Sequence, residues 1–436
     1  KMQHYYYYPL FYENKKIDFM EATKHLQVLD QYPSDYWRKV DKKKIETFTK
    51  DRTEIVSKFL NIDKSKIINI EHHLCHTSYG YYSSKFYDSP ALILAIDGSG
   101  DSGLNATISI AEKGKIQRIY QTTNCIVGKI YSFTTLILGM RRLEHEYKVM
   151  GLAPYGMKKD YSKIYNAFSE CLDLDGYKFI LKKKPKDSYF YFKEKFEGIR
   201  FDVIAAGLQK WTEDIIYKWV NNSINQTKIK NVVMVGGVSM NVKAMGNLLN
   251  NPNLKKLWVP GASNDESLCA GAALSYFYDT QKKKRHKELK SLYLGYDTDV
   301  EEKNFINKLK KNKSFKIYPY SHKKAASLIS KSYIFGRCVG KMEFGARALG
   351  NRSIVADPRN FEMVNKINDM IKNRDFWMPF APSIAENFAK KYIKNYQKSC
   401  SYHMTIAYET TEEGKKLFPA GCHPSDGTTR AQIVNK

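Results

Sequence analysis

Three short, continuous apolar runs in the middle of the chain each end in a turn that carries Asp or Gly-Gly. The first, ALILAID at 91–97, reads as a buried strand that delivers Asp97 into Gly-Ser-Gly-Asp. The second, NVVMVGGVSMNVKAMGNLL, predicts a strand over Val232–Val235, a tight turn at Gly236-Gly237 and a helix that Ser239 and Asn241 can cap. In the third, LWVPGASNDESLCAGAALSYFY, Asp265 lies in the loop, and Ala270, Gly271, Ala272 and Ala273 permit close helix–sheet packing. Three such strand ends predict one shared cleft in an α/β fold.

Apolar residues at helical spacing mark KKKIETFTKDRTEIVSKFLNI, the SFTTLILGM stretch and a core helix in FDVIAAGLQKWTEDIIYKWVNNSI. The rest of residues 1–60 is polar, aromatic and weakly patterned. Met150-Gly151-Leu152-Ala153-Pro154-Tyr155-Gly156 reads as a loop, and the lysine-rich 157–197 as an exposed insertion. QKKKRHKELK at 281–290 reads as a linker, after which the pattern restarts with SLYLGYDTDVEEKNFINKLKK. No internal repeat of roughly 20–50 residues is evident.

A length of 436 residues makes two domains the natural expectation. No run approaches the ~18 apolar residues of a membrane span, and the opening KMQHYYYYPLF lacks a signal-peptide pattern. The seven cysteines, Cys75, Cys125, Cys171, Cys269, Cys338, Cys400 and Cys422, are odd in number, widely spaced and without CxxC. They argue against a disulfide framework and a zinc knuckle, so a reducing cytoplasm is the expected setting. A net charge of +26 suits nucleic acid, anionic membrane or phosphorylated substrates. The lysines are nonetheless scattered, with KKK at 42–44, 182–184 and 282–284, and a compositional drift of the whole proteome explains them.

Candidate chemistry gathers in two places. In EHHLCHTS, His72 and His76 lie four apart, so on a helix their imidazoles share one face while His73 points elsewhere. Two imidazoles and the carboxylate of Asp97 suit zinc or ferrous iron with positions left open for chemistry. HxxxH also occurs by chance and Asp-Gly is also a turn signal; their pairing strengthens the ligand reading until the two stand level. The second place is CVGKMEFGARALGNRSIVADPRN with the stretches that follow it. Arg347 and Arg352, with Asn351 and Ser353, crowd a glycine-bounded loop, and Lys372, Arg374, His423 and Arg430 add further donors. Arginine stands here where the chain otherwise prefers lysine, and guanidinium forks match phosphate. Solvated surface charge is the competing reading.

Together, EHHLCHTS, LAIDGSGD, EYKVMGLAPYG, GGVSMNVKAMGNL, VPGASNDESLCAGAA, GKMEFGARALGNRSIVADPR, NRDFWMPFAPSI and DGTTRAQIV resemble the O-carbamoyltransferases of the nodulation and antibiotic-tailoring type, in that family's order across roughly 70–434. The resemblance implies an α/β chain. Residues 1–285 would be an actin/sugar-kinase-like transfer domain with a metal site, and 286–436 a YrdC-like activation domain. It implies ATP and carbamoyl phosphate as co-substrates, with magnesium, and a carbamoyladenylate passed to a hydroxyl of a small metabolite. Carbamoylation of a tRNA-linked group and a catalytically reduced nucleotide-binding relative are the alternatives. It assigns His72, His76, Asp97 and Asp265 to Fe(2+) or another divalent metal. Gly98, Gly100, Gly236, Gly237, Ser239, Asn241 and Ser353 would hold the nucleotide, and Arg347, Arg352, Lys372, His423 and Arg430 would act on carbamoyl phosphate and ATP. Three departures stand out: residues 1–60 lack the family's opening phosphate loop, Met378 replaces an arginine, and relatives continue past DGTTRAQIV. The expectation is a piece of a longer protein.

Overall fold

The structure, a computed structural model, describes residues 42–281, 284–298, 302–312, 314, 316–397 and 402–435. Cys400, Lys282 and Lys283, and the segment 1–41, lie outside the described residues. The first half runs α1 (Lys42–Leu60), α2 (His72–Tyr82), β1 (Ala91–Ile96), β2 (Ala106–Glu112), β3 (Lys115–Thr122), α3 (Val127–Ile137), α4 (Glu146–Leu152), α5 (Ser162–Ser169), β4 (Leu172–Asp175) and β5 (Lys178–Leu181). It continues through α6 (Ser188–Phe196), α7 (Phe201–Thr227), β6 (Asn231–Val235), α8 (Val242–Asn247), β7 (Lys256–Trp258) and α9 (Leu268–Thr280).

One five-stranded sheet, in the order β3-β2-β1-β6-β7, organises this half. β1 pairs antiparallel with β2 but parallel with β6, and β6 parallel with β7. The apolar runs are continuous because both faces are covered. Leu92, Leu94 and Ile96 enter the main core under α7, while Ala91, Ile93 and Ala95 face a second core with Tyr81, Tyr82 and Phe86. Because β1, β6 and β7 run parallel, their carboxyl ends share one edge. Asp97, Gly236-Gly237 and the loop to Asp265 therefore meet there.

The remainder is also α/β, built of short pieces. After β8 (Tyr293–Asp297) come α10 (Glu302–Lys310), α11 (His322–Ser330), β9 (Phe335–Cys338), β10 (Lys341–Glu343) and β11 (Arg352–Val355). These strands form two-stranded sheets, β10 with β8 and β11 with β9. The chain from Ile384 to Ile433 returns to the main core, which holds Ile393, Ile406, Tyr408 and Phe418 beside residues of the first half. Among the described residues no helix is long and apolar enough to cross a membrane.

Four local expectations are corrected. The 157–197 stretch is no exposed insertion: Ile164, Phe168, Phe192 and Phe196 lie in the main core while its lysines stay at the surface. The 150–156 stretch is helical rather than a loop, with α4 running into a 3-10 turn over Ala153–Tyr155 that accepts Pro154 near its start. Gly271 of α9 makes its tightest approach to the Cys75 carbonyl of α2, so the small residues serve helix–helix rather than helix–sheet contact. Within the 281–290 linker, His286 is buried against the rings of Tyr81, Tyr82, Tyr87 and Tyr278.

Candidate metal centre and arginine pocket

Two carboxylates set the start of α2. Glu71 accepts from the amides of His73 and Leu74, and Asp101 accepts from the amide of His72 at 2.9 Å. Burial would raise the Glu71 carboxyl, but hydrogen bonds from His73, Arg118 and the backbone outweigh it and hold it at about 2. Thus anchored, α2 presents His72 and His76 to the sheet edge, with ring centroids 4.5 Å apart. Asp97 Oδ1 accepts from the Gly98 amide at 2.7 Å, which leaves Oδ2 facing the histidines.

His72 Nε2 lies 2.7 Å from Asp97 Oδ2 and 3.7 Å from Asp265 Oδ1; His76 Nε2 lies 3.6 Å and 3.5 Å from the same atoms. One donor atom from each of the four residues falls within 4.8 Å of all the others. This set fits a divalent ion. Among the described residues neither nitrogen of the buried His76 has a hydrogen-bond partner, and the donors are the mixed N/O type that zinc or ferrous iron takes. Burial opposes a charged His76, yet Asp265 and Asp97 together raise it above the ordinary histidine value. Asp265, with its side chain 47% exposed, marks the side on which the cluster opens. His73 stays outside this cluster but is fully buried, and Gly100 packs so close that a Cβ there would stand 2.5 Å from His73 Nδ1 and 2.8 Å from His72 Cδ2.

At the same edge Gly236 has φ +92, and a side chain there would run into the Ile96 carbonyl. A Cβ on Gly237 would stand 2.8 Å from both Asp97 Oδ1 and Asn264 Oδ1, so the glycine turn packs closely on Asp97 and on the loop that carries Asp265. Ser239 Oγ donates to the Gly236 carbonyl at 2.7 Å, while Asn241 caps α8 and exchanges two hydrogen bonds with Gln209. Of the implied nucleotide set, Gly98, Gly236 and Gly237 offer backbone at the edge.

The second cluster sits on the first. The loop 343–352 is drawn around Glu343, whose Oε1 accepts from the amides of Leu349, Asn351 and Arg352. Gly345, at φ +103, lies so near the loop before Asp265 that a Cβ would come 2.6 Å from Ala262 Cβ. This places Arg347 within electrostatic reach of Glu266 on one side and Arg430 on the other, with Arg374 also near Arg430. Burial pushes Arg347 down to about 10, and burial with Arg347 and Arg374 pushes Arg430 well below the ordinary arginine value. Among the described residues none of these three arginines has an ion-pair partner.

Other expected members have partners within the fold. Arg352 donates to the carbonyls of Val339, Gly340 and Asn351 and to Thr298 Oγ1, so its fork holds the loop. Ser353 Oγ accepts from the Gly350 amide, and Lys372 stands exposed at the end of a π-turn over Ile367–Lys372. His423 Nε2 donates to the Gly151 carbonyl at 2.7 Å while Nδ1 accepts from the Ser425 amide at 3.2 Å, which occupies both nitrogens. That bond belongs to a seam. Trp377 donates to the Lys148 carbonyl, Lys148 pairs with Asp375 at 2.9 Å, Ser425 donates to the Pro154 carbonyl, and the buried Met378 lies beside Gly151. Sequence reasoning missed Glu71, Asp101, Glu266 and Glu343. Their signal was acid beside a glycine or histidine motif in a strongly basic chain.

The sequence matches the family model described as Carbamoyltransferase N-terminus over residues 6–274 and the one described as Carbamoyltransferase C-terminus over residues 326–436. It is similar to the uncharacterized protein MJ1058 of Methanocaldococcus jannaschii, at 32% identity over 84% of this chain and 63% of that protein. It is also similar to MJ1051 of the same organism, at 33% over 88% and 74%, and to the nodulation protein NolNO of Sinorhizobium fredii, at 31% over 86% and 56%. The chain thus spans less than two thirds of MJ1058 and of NolNO.

Proposed function

The chain belongs to the carbamoyltransferase family, and from that premise we propose that it activates carbamoyl phosphate with ATP and passes the carbamoyl group to a hydroxyl of a small metabolite. The observation that carries the reading is the arginine trio. Arg347, Arg374 and Arg430 are partly buried, Arg430 feels the positive charge of the other two, and none of them has an ion-pair partner among the described residues. Such a cluster is costly until a compact polyanion enters it, and two phosphorylated substrates supply one.

For the atoms to balance, carbamoyl phosphate loses its phosphate to water. The resulting carbamate oxygen bonds to the α-phosphorus of ATP, and pyrophosphate leaves. The acceptor hydroxyl then displaces AMP from the carbonyl carbon. Residues 286–436 would carry the activation half, with magnesium neutralising the nucleotide, and residues 1–285 the transfer half. The trio holds the phosphates; Glu343 and Arg352 keep the loop bearing Arg347 in shape; the backbone of Gly98, Gly236 and Gly237 borders the adenylate. His72, His76, Asp97 and Asp265 would hold Fe(2+) or another divalent ion, which when bound polarises a carbonyl or an acceptor hydroxyl.

The test supplies the full chain with ATP, carbamoyl phosphate and ferrous iron and follows pyrophosphate release and carbamoyladenylate by mass spectrometry. Adenylate that disappears in Arg430→Ala supports the reading. ATP binding without any adenylate moves the chain to the class of nucleotide-binding relatives.

A further inference from the structure

Where the candidate metal cluster meets the arginine trio, two buried polar atoms, Glu266 Oε1 and Arg347 Nε, have no hydrogen-bond partner among the described residues. Each lies within the other's electrostatic reach, and Glu266 also feels His76 and Asp265. They sit on loops pressed together at Gly345 and Ala262, so their juxtaposition belongs to the packing of the two clusters. One is an acceptor and the other a donor, and leaving a buried polar atom without its bond is unfavourable. A ligand that completes both offers a hydrogen-bond donor and an acceptor side by side. The carbamoyl group, an amino nitrogen bonded to a carbonyl carbon, has that pattern, and a carboxylate, phosphate or acetyl group does not.

We infer that Glu266 and Arg347 read the carbamoyl group, Glu266 Oε1 accepting from its amino group and Arg347 donating to its carbonyl. This rests on the function proposed above and adds the reason the site takes a carbamoyl rather than another acyl group. Carbamoyl phosphate then lies across the junction, its phosphate toward Arg374 and Arg430 and its amide end toward the metal loop. Glu266 becomes a specificity-determining residue beside, and distinct from, the four metal donors.

Acetyl phosphate keeps the phosphate and the carbonyl and replaces the amino group with a methyl group. Calorimetric titration of the full chain with each compound should show wild type favouring carbamoyl phosphate by about tenfold or more. Glu266→Met removes the acceptor and should bring the two affinities within about threefold, whereas Glu266→Gln keeps an acceptor oxygen and should retain most of the preference. Arg347→Lys replaces the fixed Nε–H with a mobile ammonium that cannot keep its place against the carbonyl common to both ligands, so both affinities should fall with their ratio kept. That variant still tests the pair if the methionine variant does not fold. An undiminished preference in Glu266→Met, or a collapsed ratio in Arg347→Lys, overturns the assignment. Failure of wild type to bind either phosphate defeats the underlying function instead, and this inference with it.

Discussion

His72 Nε2 stands 2.7 Å from Asp97 Oδ2, joining the first turn of α2 to the carboxyl end of β1. Neither element alone could place that contact: Asp101 and Glu71 fix the helix start, and the Gly98 amide fixes the carboxylate. With His76 and Asp265 at 3.5 Å from each other, the same atoms can turn to a shared ion with little movement. Ferrous iron or zinc added to the chelator-stripped chain should therefore raise its melting temperature, by ~2.7 kcal/mol of stabilisation at a hundredfold excess over the dissociation constant. Asp97→Asn and His76→Ala should each abolish the shift in a thermal scan. A shift that survives both places the ion elsewhere.

The arginine trio predicts opposite effects on stability and on binding. Arg430 is charged, desolvated and flanked by Arg347 and Arg374. Arg430→Met should leave the ligand-free chain as stable as wild type or up to ~1 kcal/mol more so, since a partly buried charge crowded by two other arginines is removed. The affinity for ATP should fall about tenfold or more, because charge-assisted bonds to phosphate are lost. Urea unfolding and nucleotide titration on one preparation decide it. Joint loss of stability and affinity would make Arg430 a structural residue.

Gly345 and Ala262 should not behave as independent positions. Gly345 has φ +103, Ala262 has φ +58 although it carries a side chain, and a Cβ on Gly345 would meet Ala262 Cβ at 2.6 Å. Gly345→Ala is expected to cost ~2 kcal/mol or more through backbone strain and this collision. Ala262→Gly removes the methyl group and its left-handed strain, so the same substitution should cost less in that background, with a coupling of ~1 kcal/mol. Additive losses in the double-mutant cycle would mean the two loops are not in contact in solution.

These contacts mark where the sequence was legible. ALILAID and NVVMV were readable as strands because burial on both faces leaves no polar position to interrupt them. The spacing of His72 and His76 survives any reasonable helix. What a donor does with its hydrogens is a different matter. Arg352 and His423 stand out in the chain as donors, but only the fold shows the carbonyls they also meet, Val339 in one case and Gly151 in the other. Lysine content hid the apolar face at Phe168, Phe192 and Phe196 for a related reason: a long charged stem leaves its helix free to pack. Glu343 and Glu266 escaped because their partners are backbone amides and an arginine that only the folded loop brings near.

His286 predicts an acid-sensitive element in the segment that joins the two halves. Its ring is 3% exposed among Tyr81, Tyr82, Tyr87 and Tyr278, with centroid distances from 4.7 to 6.1 Å. Burial, then the nearby charge of Arg285, pushes it down to about 4 from an ordinary 6.5, against a smaller opposing effect of Asp88. Between those two values the unfolded chain binds a proton that the folded chain refuses. Stability from this group is therefore complete above the unfolded value and is lost as pH falls through the window, by no more than ~3 kcal/mol. Urea unfolding from about pH 7 to about pH 4 should show His286→Phe losing less stability than wild type over that interval. Parallel curves would mean that the imidazole is hydrated and that the 281–290 segment is undocked in solution.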